Sequence, residues 1–397
     1  MKFLLSALAA LFLFGAVQAQ VVVRGDAKFE NPTVVFKGVR GDSLMTQYVQ
    51  SDLINCGWFK VLRSGKSDFI ISGRVYDSAL VLDVTNGSGA VLYSVKAAAK
   101  EPRELAKAAV DTLLKKEFGV PGICRTKIVF SAETNPNQRE IYICDYDGGN
   151  IRRLTSNATL SIEPSWHPDG KSIVYNQYLL SSTPLVQFDL VRNRSRALSS
   201  HRGINSGRIS PDGRKLALIL TDRNQLDLYV RDLNGGKLLR LTNDQATEAS
   251  PAWSPDSQSI CYVSDRTGRP KLYIISAKGG TPKRIPGVLG SESVSPDWSA
   301  DNKIAYCAKL GGYVVKVVDL TKDMGYPPRK NQDNSIIADS SALVVSGESP
   351  SWAPDNRHVV VSSRGGIYIV DTRTNKVRRL IGGKSKCSGA RWSKILF

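Results

Sequence analysis

The 397-residue chain is poor in the side chains that carry most hydrolytic and redox chemistry. It has three histidines, His167, His201 and His358, and six cysteines, none of them spaced as CxxC. HExxH is missing, which excludes the common zinc-peptidase helix, and no clustered Cys/His spacing offers a structural metal site. G-x-S-x-G is missing too, which removes the nucleophile elbow of an α/β-hydrolase. A serine peptidase would also need a further domain of roughly 200 residues, for which the chain has no room. Neither a P-loop nor a GxGxxG after a strand occurs, so nucleotide binding is unsupported. Beyond residue 19 no apolar run approaches a membrane span. Asp145-Tyr-Asp-Gly148 lacks the longer ligand series of a calcium loop and reads as a turn. Asn157-Ala-Thr159 and Asn193-Arg-Ser195 match the glycosylation sequon by chance.

What is present is a repeated phrase. It reads Glu163-Pro-Ser-Trp-His-Pro-Asp-Gly170, and returns around Ile209, Trp253, Trp298, Trp352 and Trp392. A recurrence of about 40–45 residues with strand-like segments inside is the signature of propeller blades. In residues 248–285 the order is an inner strand to Trp253, a Ser254-Pro-Asp-Ser257 turn, and strands at 260–263, 271–275 and 281–285. Four strands make one blade. Residues 127–155 contain the second, third and fourth strands of a blade but no opening strand. The copy at Trp392 has the opening strand and then stops. Together they predict one blade shared between both ends of an all-β six-bladed β-propeller over 125–397. The long interval between Trp298 and Trp352 implies an exposed insertion from Lys322 onward.

Residues 20–124 have a different rhythm and predict an α/β N-terminal domain. Strands are expected at 33–36, 59–62, 69–75 and 79–84. A helix over 42–56 is expected to bury Leu44, Tyr48, Leu53 and Ile54. A second over 101–118 presents Leu105, Ala108, Ala109, Thr112 and Leu113, and ends at Gly119. Residues 1–19 read as a signal peptide: Lys2, an apolar run to Ala16, and Val17-Gln-Ala19 before the cleavage point. An exported chain permits disulfides, but six cysteines allow 15 full pairings and the sequence does not choose; buried thiols are the plain expectation for Cys144, Cys261 and Cys307.

The net charge is +18, and +14 of it falls within 125–397. Much of this is on the expected outermost strands, such as Arg192 to Arg196 and Val377-Arg-Arg-Leu380, where charge prevents edge-to-edge pairing. A basic surface permits acidic partners without selecting one.

The constellation resembles the TolB family, the periplasmic propellers of the Tol–Pal envelope system. Beside the repeats and the leader, Ser51-Asp-Leu-Ile-Asn-Cys-Gly-Trp-Phe-Lys-Val-Leu62 is similar to the family's helix-to-strand segment. Gly122-Ile-Cys-Arg-Thr-Lys-Ile-Val-Phe130, running into Glu140–Gly149, is similar to its junction and first blade. The resemblance implies a non-catalytic monomeric adaptor in the periplasm, without cofactor or metal. Its implied partners are a Pal-like peptidoglycan-associated lipoprotein and a TolA-like inner-membrane protein; nucleic acid binding and membrane insertion are not expected. The TolA-like partner would meet the N-terminal segment, here Val21, Val22, Val23 and Arg24. The family's tail there is often longer and more acidic. A family histidine before one inner strand aligns with Gly203, with His201 two residues earlier.

The residues just before each inner strand are expected at one mouth of the central channel, where the Pal-like partner would dock. They are Ile162 and Glu163, Asn205 and Ser206, Thr247 and Glu248, Glu292 and Ser293, Glu348 and Ser349. Loops on a rigid scaffold are where binding concentrates. Glu163, Glu248 and Glu348 are expected at one equivalent, exposed position, ringing the opening. The alternative is a periplasmic propeller enzyme or ligand-binding protein acting on envelope glycans or peptides, which needs converging carboxylates or a nucleophile–base pair.

Overall fold

The computed structural model describes residues 30–199, 203–222, 224–323, 341–383 and 386–397. The leader, the segment Val21–Arg24, His201 and most of the 321–347 insertion lie outside the described residues.

The first part is a mixed five-stranded sheet in the order Lys60–Leu62, Thr33–Val39, Phe69–Tyr76, Ala79–Asn86, Val91–Ala98. Thr33–Val39 runs parallel to both of its neighbours, because the helix Ser43–Asn55 and its return carry the chain back across the sheet. Asp42 caps that helix by accepting from the Met45 N–H at 2.8 Å. Its buried apolar residues are Met45, Val49 and Leu53, while Leu44 and Ile54 are exposed. The expected face was therefore rotated by about one residue. The buried Asp52 explains the shift. Its carboxylate is held by Arg103 and by the Tyr146 hydroxyl at 2.6 Å, so a polar position belongs to the inward face. The second helix, Pro102–Phe118, ends at Gly119 with φ 69°, the left-handed cap glycine tolerates best. Val91–Ala98 is a strand the sequence reading missed. It is an edge strand with exposed Val91 and Leu92 and an Ala-Ala end, which weakens the period-two signal.

The remainder is built from four-stranded antiparallel units. Four separate sheets start at the inner strands Ile204–Ile209, Glu248–Trp253, Ser293–Trp298 and Glu348–Trp352. A further eight-stranded assembly consists of two such units joined only by the single parallel pair Arg139 and Leu160. One unit is Leu160–Trp166 to Arg194–Ser199. The other takes Ser388–Trp392 from the chain end and pairs it antiparallel with Lys127–Asn135. Each inner strand lies against the next in sequence, and Ser388–Trp392 lies against both Glu348–Trp352 and Leu160–Trp166. The inner strands therefore close a ring through both ends of the region, which is the arrangement of a β-propeller.

Ser-Pro in the repeated phrase has a local cause. Glu163, Ser250, Ser295 and Ser349 have φ of 51 or 52°, and Gly389 has φ 63°. In each of these strands the pairing register shifts at that residue. This is a β-bulge with one residue in the left-handed region, followed in four of the five by proline. Proline lacks an N–H, so it costs no ladder bond where the bulge has already interrupted pairing.

One buried apolar cluster joins the first sheet to the ring. It includes Leu53, Trp58, Leu105 and Leu113 on one side, and Phe130, Tyr146, Val360 and Trp392 on the other. All six cysteines are buried and free.

Candidate functional site

The channel wall is set by the residue one step before the position that holds tryptophan in five copies of the repeat and Ile209 in the sixth. These residues are Ser165, Arg208, Ala252, Asp297, Ser351 and Arg391. The indoles hold that wall in place. Trp253 Nε1 donates to the Arg208 carbonyl at 2.8 Å, Trp352 Nε1 to the Asp297 carbonyl at 3.1 Å, and Trp166 Nε1 to the Arg391 carbonyl at 3.0 Å. In each case the acceptor is on the preceding inner strand. The Trp166–Arg391 bond makes the same link across the junction of the two chain ends. Tryptophan therefore recurs because one side chain both fills the space between sheets and staples neighbouring inner strands. Trp298 and Trp392 depart from the pattern: Trp298 Nε1 donates to Asn302 at 3.2 Å and Trp392 Nε1 to the Thr126 hydroxyl at 2.7 Å.

The ring has two unlike ends. At the end reached after each tryptophan, the turns meet the first sheet and its helices. Trp58 Nε1 donates to Asp355 at 3.0 Å, and His358 Nδ1 lies 2.6 Å from the same carboxylate oxygen. Arg357 makes two bonds to Asp371, at 2.9 and 2.6 Å, and one to Asn31 at 2.6 Å; its guanidinium stacks over Trp58, 4.5 Å from the ring centre. Lys107, buried on the second helix, pairs with Asp145 at 2.7 Å, and Lys127 takes the other oxygen of Asp145 at 2.6 Å. The Asp145–Gly148 turn is thus a docking point for that helix. A cavity of about 320 Å³, lined from all six inner strands, opens between Trp166, Trp253, Arg208, Asp297 and Arg391.

The residues singled out at the other mouth occupy unlike environments. Counting back from the inner tryptophan, Glu163 stands three residues away, Glu348 four and Glu248 five. The bulge confirms this offset: the equivalents of Glu163 are Ser250, Ser295, Ser349 and Gly389. The expectation of one shared position is therefore corrected. The proline that follows the bulge, not the glutamate, marks the register. Glu163 is exposed. Glu248 is fully buried, so its expected place in an exposed loop is also corrected. It pairs with Arg266 at 2.9 Å and accepts from Ser264 at 3.3 Å. Burial nevertheless pushes its carboxyl up to about 7, and its second oxygen has no hydrogen-bond partner. Glu292 is held by Lys309 at 2.7 Å and Tyr313 at 2.6 Å, which lower its pKa. Glu348 is exposed, Thr247 and Ser349 are half-buried, and Ile162 is partly covered. Asn205 bonds Gly203 and Thr221, Ser293 donates to the Leu289 carbonyl at 3.0 Å, and Ser206 is buried. Sequence reasoning missed Arg208, Asp297 and Arg391. Their signal is the fixed step before the tryptophan position, Ile209 in one copy, but the residue type at that step varies from copy to copy.

The TolB beta propeller domain model matches residues 115–396. The chain belongs to the TolB β-propeller family. Among curated relatives, the Tol-Pal system protein TolB of Francisella tularensis subsp. tularensis (strain WY96-3418) is 32% identical over 213 residues, 51% of this chain and 48% of that protein. The chain thus spans about half the length of the curated relatives it matches. The crystal structure of TolB from Acinetobacter baumannii superposes with a TM-score of 0.80 at 20% identity, covering 94% of this chain and 98% of that one. Kuenenia stuttgartiensis hydrazine synthase matches with a TM-score of 0.53 at 15% identity, over 71% of this chain and 48% of its own. A likeness at that level is one of fold alone, and fold does not carry activity with it.

Proposed function

We propose that this protein is a non-catalytic periplasmic adaptor of the Tol–Pal system, built as a six-bladed propeller behind an N-terminal α/β domain. The observation that carries the reading is the TolB family match over 115–396, on a ring whose strand-entry mouth lies opposite the end packed against the first sheet. That mouth receives a Pal-like peptidoglycan-associated lipoprotein. Its surface is offered by Ile162, Glu163, Asn205, Thr247, Glu292, Glu348 and Ser349, with Ser206, Glu248 and Ser293 removed from it by burial. The segment Val21–Arg24 docks on a TolA-like inner-membrane protein, and the leader 1–19 directs export. Such a link fits a role in outer-membrane integrity and constriction at division. The rival reading, an enzyme acting on envelope glycans or peptides, needs carboxylates that converge. Here Glu248 is paired with Arg266 and Glu292 with Lys309, which argues against it.

The test is calorimetric titration of the purified chain with the soluble domain of a Pal-like lipoprotein. Glu163→Ala and Glu348→Ala are each expected to cost roughly 1–3 kcal/mol of binding. Glu248→Gln is expected to leave affinity unchanged. Deleting residues 20–30 is expected to abolish binding of a TolA-like domain. A full chain that binds neither partner would sink the adaptor reading.

A further inference from the structure

Two arginines face the channel without a counter-ion. Arg208 and Arg391 are half-buried and occupy the same step of their inner strands, just before Ile209 and Trp392 respectively. Neither is in an ion pair among the described residues. The hydrogen bonds of both run through Nη1 to backbone carbonyls. Arg391 reaches Pro350 at 2.8 Å and Ser349 at 3.3 Å; Arg208 reaches Gly207 at 3.2 Å and Glu163 at 3.5 Å. A carbonyl orients a guanidinium but does not neutralise it. The bonds to carbonyls hold one nitrogen of each fork, and both residues line the cavity.

The surrounding charges do not cancel the pair. Asp297 is on the same wall, but its carboxylate accepts from the Trp352 N–H at 2.7 Å and lies 3.4 Å from Lys394 Nζ. Glu163 faces Arg208 from beyond ion-pair distance. Arg208 feels the strain of the arrangement: burial first, and the Arg391 charge second, push its pKa down to about 10. The cavity itself has indole walls from Trp166, Trp253 and Trp298 and a volume of about 320 Å³. That is near the lower end of small-ligand pockets, so it suits one compact group and not a polymer. Partly desolvated guanidiniums with free forks favour planar or tetrahedral oxyanions that accept two bonds at once.

We propose that the channel between Arg208 and Arg391 is a binding site for a small oxyanion, a phosphate or carboxylate group, entering from the cavity end of the ring. This site adjoins the partner surface through the Glu163 and Ser349 carbonyls, but its test reads anion binding without any partner protein.

The experiment titrates the full chain with inorganic phosphate and, in a separate arm, with succinate, by calorimetry in low-chloride buffer. Saturable binding of one equivalent of at least one of them is expected, and the stronger arm identifies the source chemistry. Arg208→Gln and Arg391→Gln are each expected to weaken it roughly tenfold, and the double variant to abolish it. Arg196→Gln, on an exposed outer strand, is expected to bind as the parent does. Unfolding curves without ligand establish that each variant is folded. If the glutamine variants do not fold, the parent is treated with an arginine-directed dicarbonyl with and without the bound anion. Slower modification of Arg208 and Arg391 in its presence, read by mass spectrometry, supports the site. Absence of saturable binding of both anions by the parent, equal binding by the folded double variant, or unchanged modification rates would overturn it.

Discussion

Replacing Arg357 with alanine tests whether the first sheet and the ring are held together by one buried ionic cluster. Arg357 is 1% exposed, makes two bonds to Asp371 and one to Asn31, and covers the Trp58 ring. Burial alone would raise the Asp371 pKa, yet the bonds and charge of Arg357, with help from His358, hold it at about 2 against an ordinary 3.8. That drop corresponds to on the order of 2 kcal/mol of stability. Losing the stacking over Trp58 and the bond to Asn31 adds on the order of 1 kcal/mol. The sum agrees with the roughly 3–5 kcal/mol typical of removing one partner from a buried pair. Urea unfolding followed by tryptophan fluorescence at pH 7 is expected to show a loss in that range. The sign of the pH dependence follows from the depressed carboxyl. Its contribution is complete above pH 3.8 and is lost as the pH falls towards 2, so the gap between parent and variant narrows across that window. Asp371→Asn in the same background completes a double-mutant cycle, where a coupling of about 1–3 kcal/mol is expected. A loss below about 1 kcal/mol at pH 7, or a gap that stays constant down to pH 2.5, refutes the reasoning.

Other consequences are as direct. Deleting residues 388–397 strips the inner strand from Lys127–Asn135, removes the fully buried Trp392 and uncovers Gly170, on which Ile395 packs; loss of the cooperative melting transition is expected, and an unchanged one would show that the ring does not depend on this closure. Glu248, raised by burial to about 7 from an ordinary 4.5, makes the fold less stable as pH rises through that interval, by up to about 3 kcal/mol. Glu248→Gln is expected to flatten the stability profile between pH 4.5 and 7, and equal slopes in the two proteins would contradict the assignment.

The ring was legible because its repeating unit is written several times. Trp, Pro and Asp each answer a local demand: a staple to the neighbouring strand, a bulge without an N–H to spare, and a turn closed by a side chain. Asp256 accepts from the Gln258 N–H at 3.0 Å, as Asp212 does from Arg214 at 3.1 Å. Repetition let each copy check the others. The glutamates had no such check. They were aligned by their distance from proline in two copies and by an Ala-Ser-Pro stretch in the third, although Glu348 and Glu248 stand one and two residues before the bulged position that Glu163 itself fills. Glu248 shows the cost of that slip, because its partner Arg266 lies in a turn 18 residues away that no local pattern ties to it. The junction was illegible for the same reason at longer range. Trp58 and Asp355 are separated by 297 residues, and Arg357 and Asn31 by 326. Asp-Asn-Arg-His358 looked like one more turn of the repeat.

The same contrast explains why one end of the ring is the better place for an exchangeable partner. At the junction end, charges are buried and matched: Arg357 with Asp371, Lys107 with Asp145, Arg103 with Asp52. Removing one member of such a pair leaves the other uncompensated, so this end resists rearrangement. At the opposite mouth, Glu163 and Glu348 remain exposed on bulged or strand-entry backbone, with no buried partner to be abandoned when a ligand leaves. A surface of that kind can gain contacts on binding without first breaking an internal one. On the proposed adaptor reading, a partner must be released as well as held. The side of the ring whose charges are already committed to the fold is the poorer candidate for that duty, and the strand-entry mouth the better one.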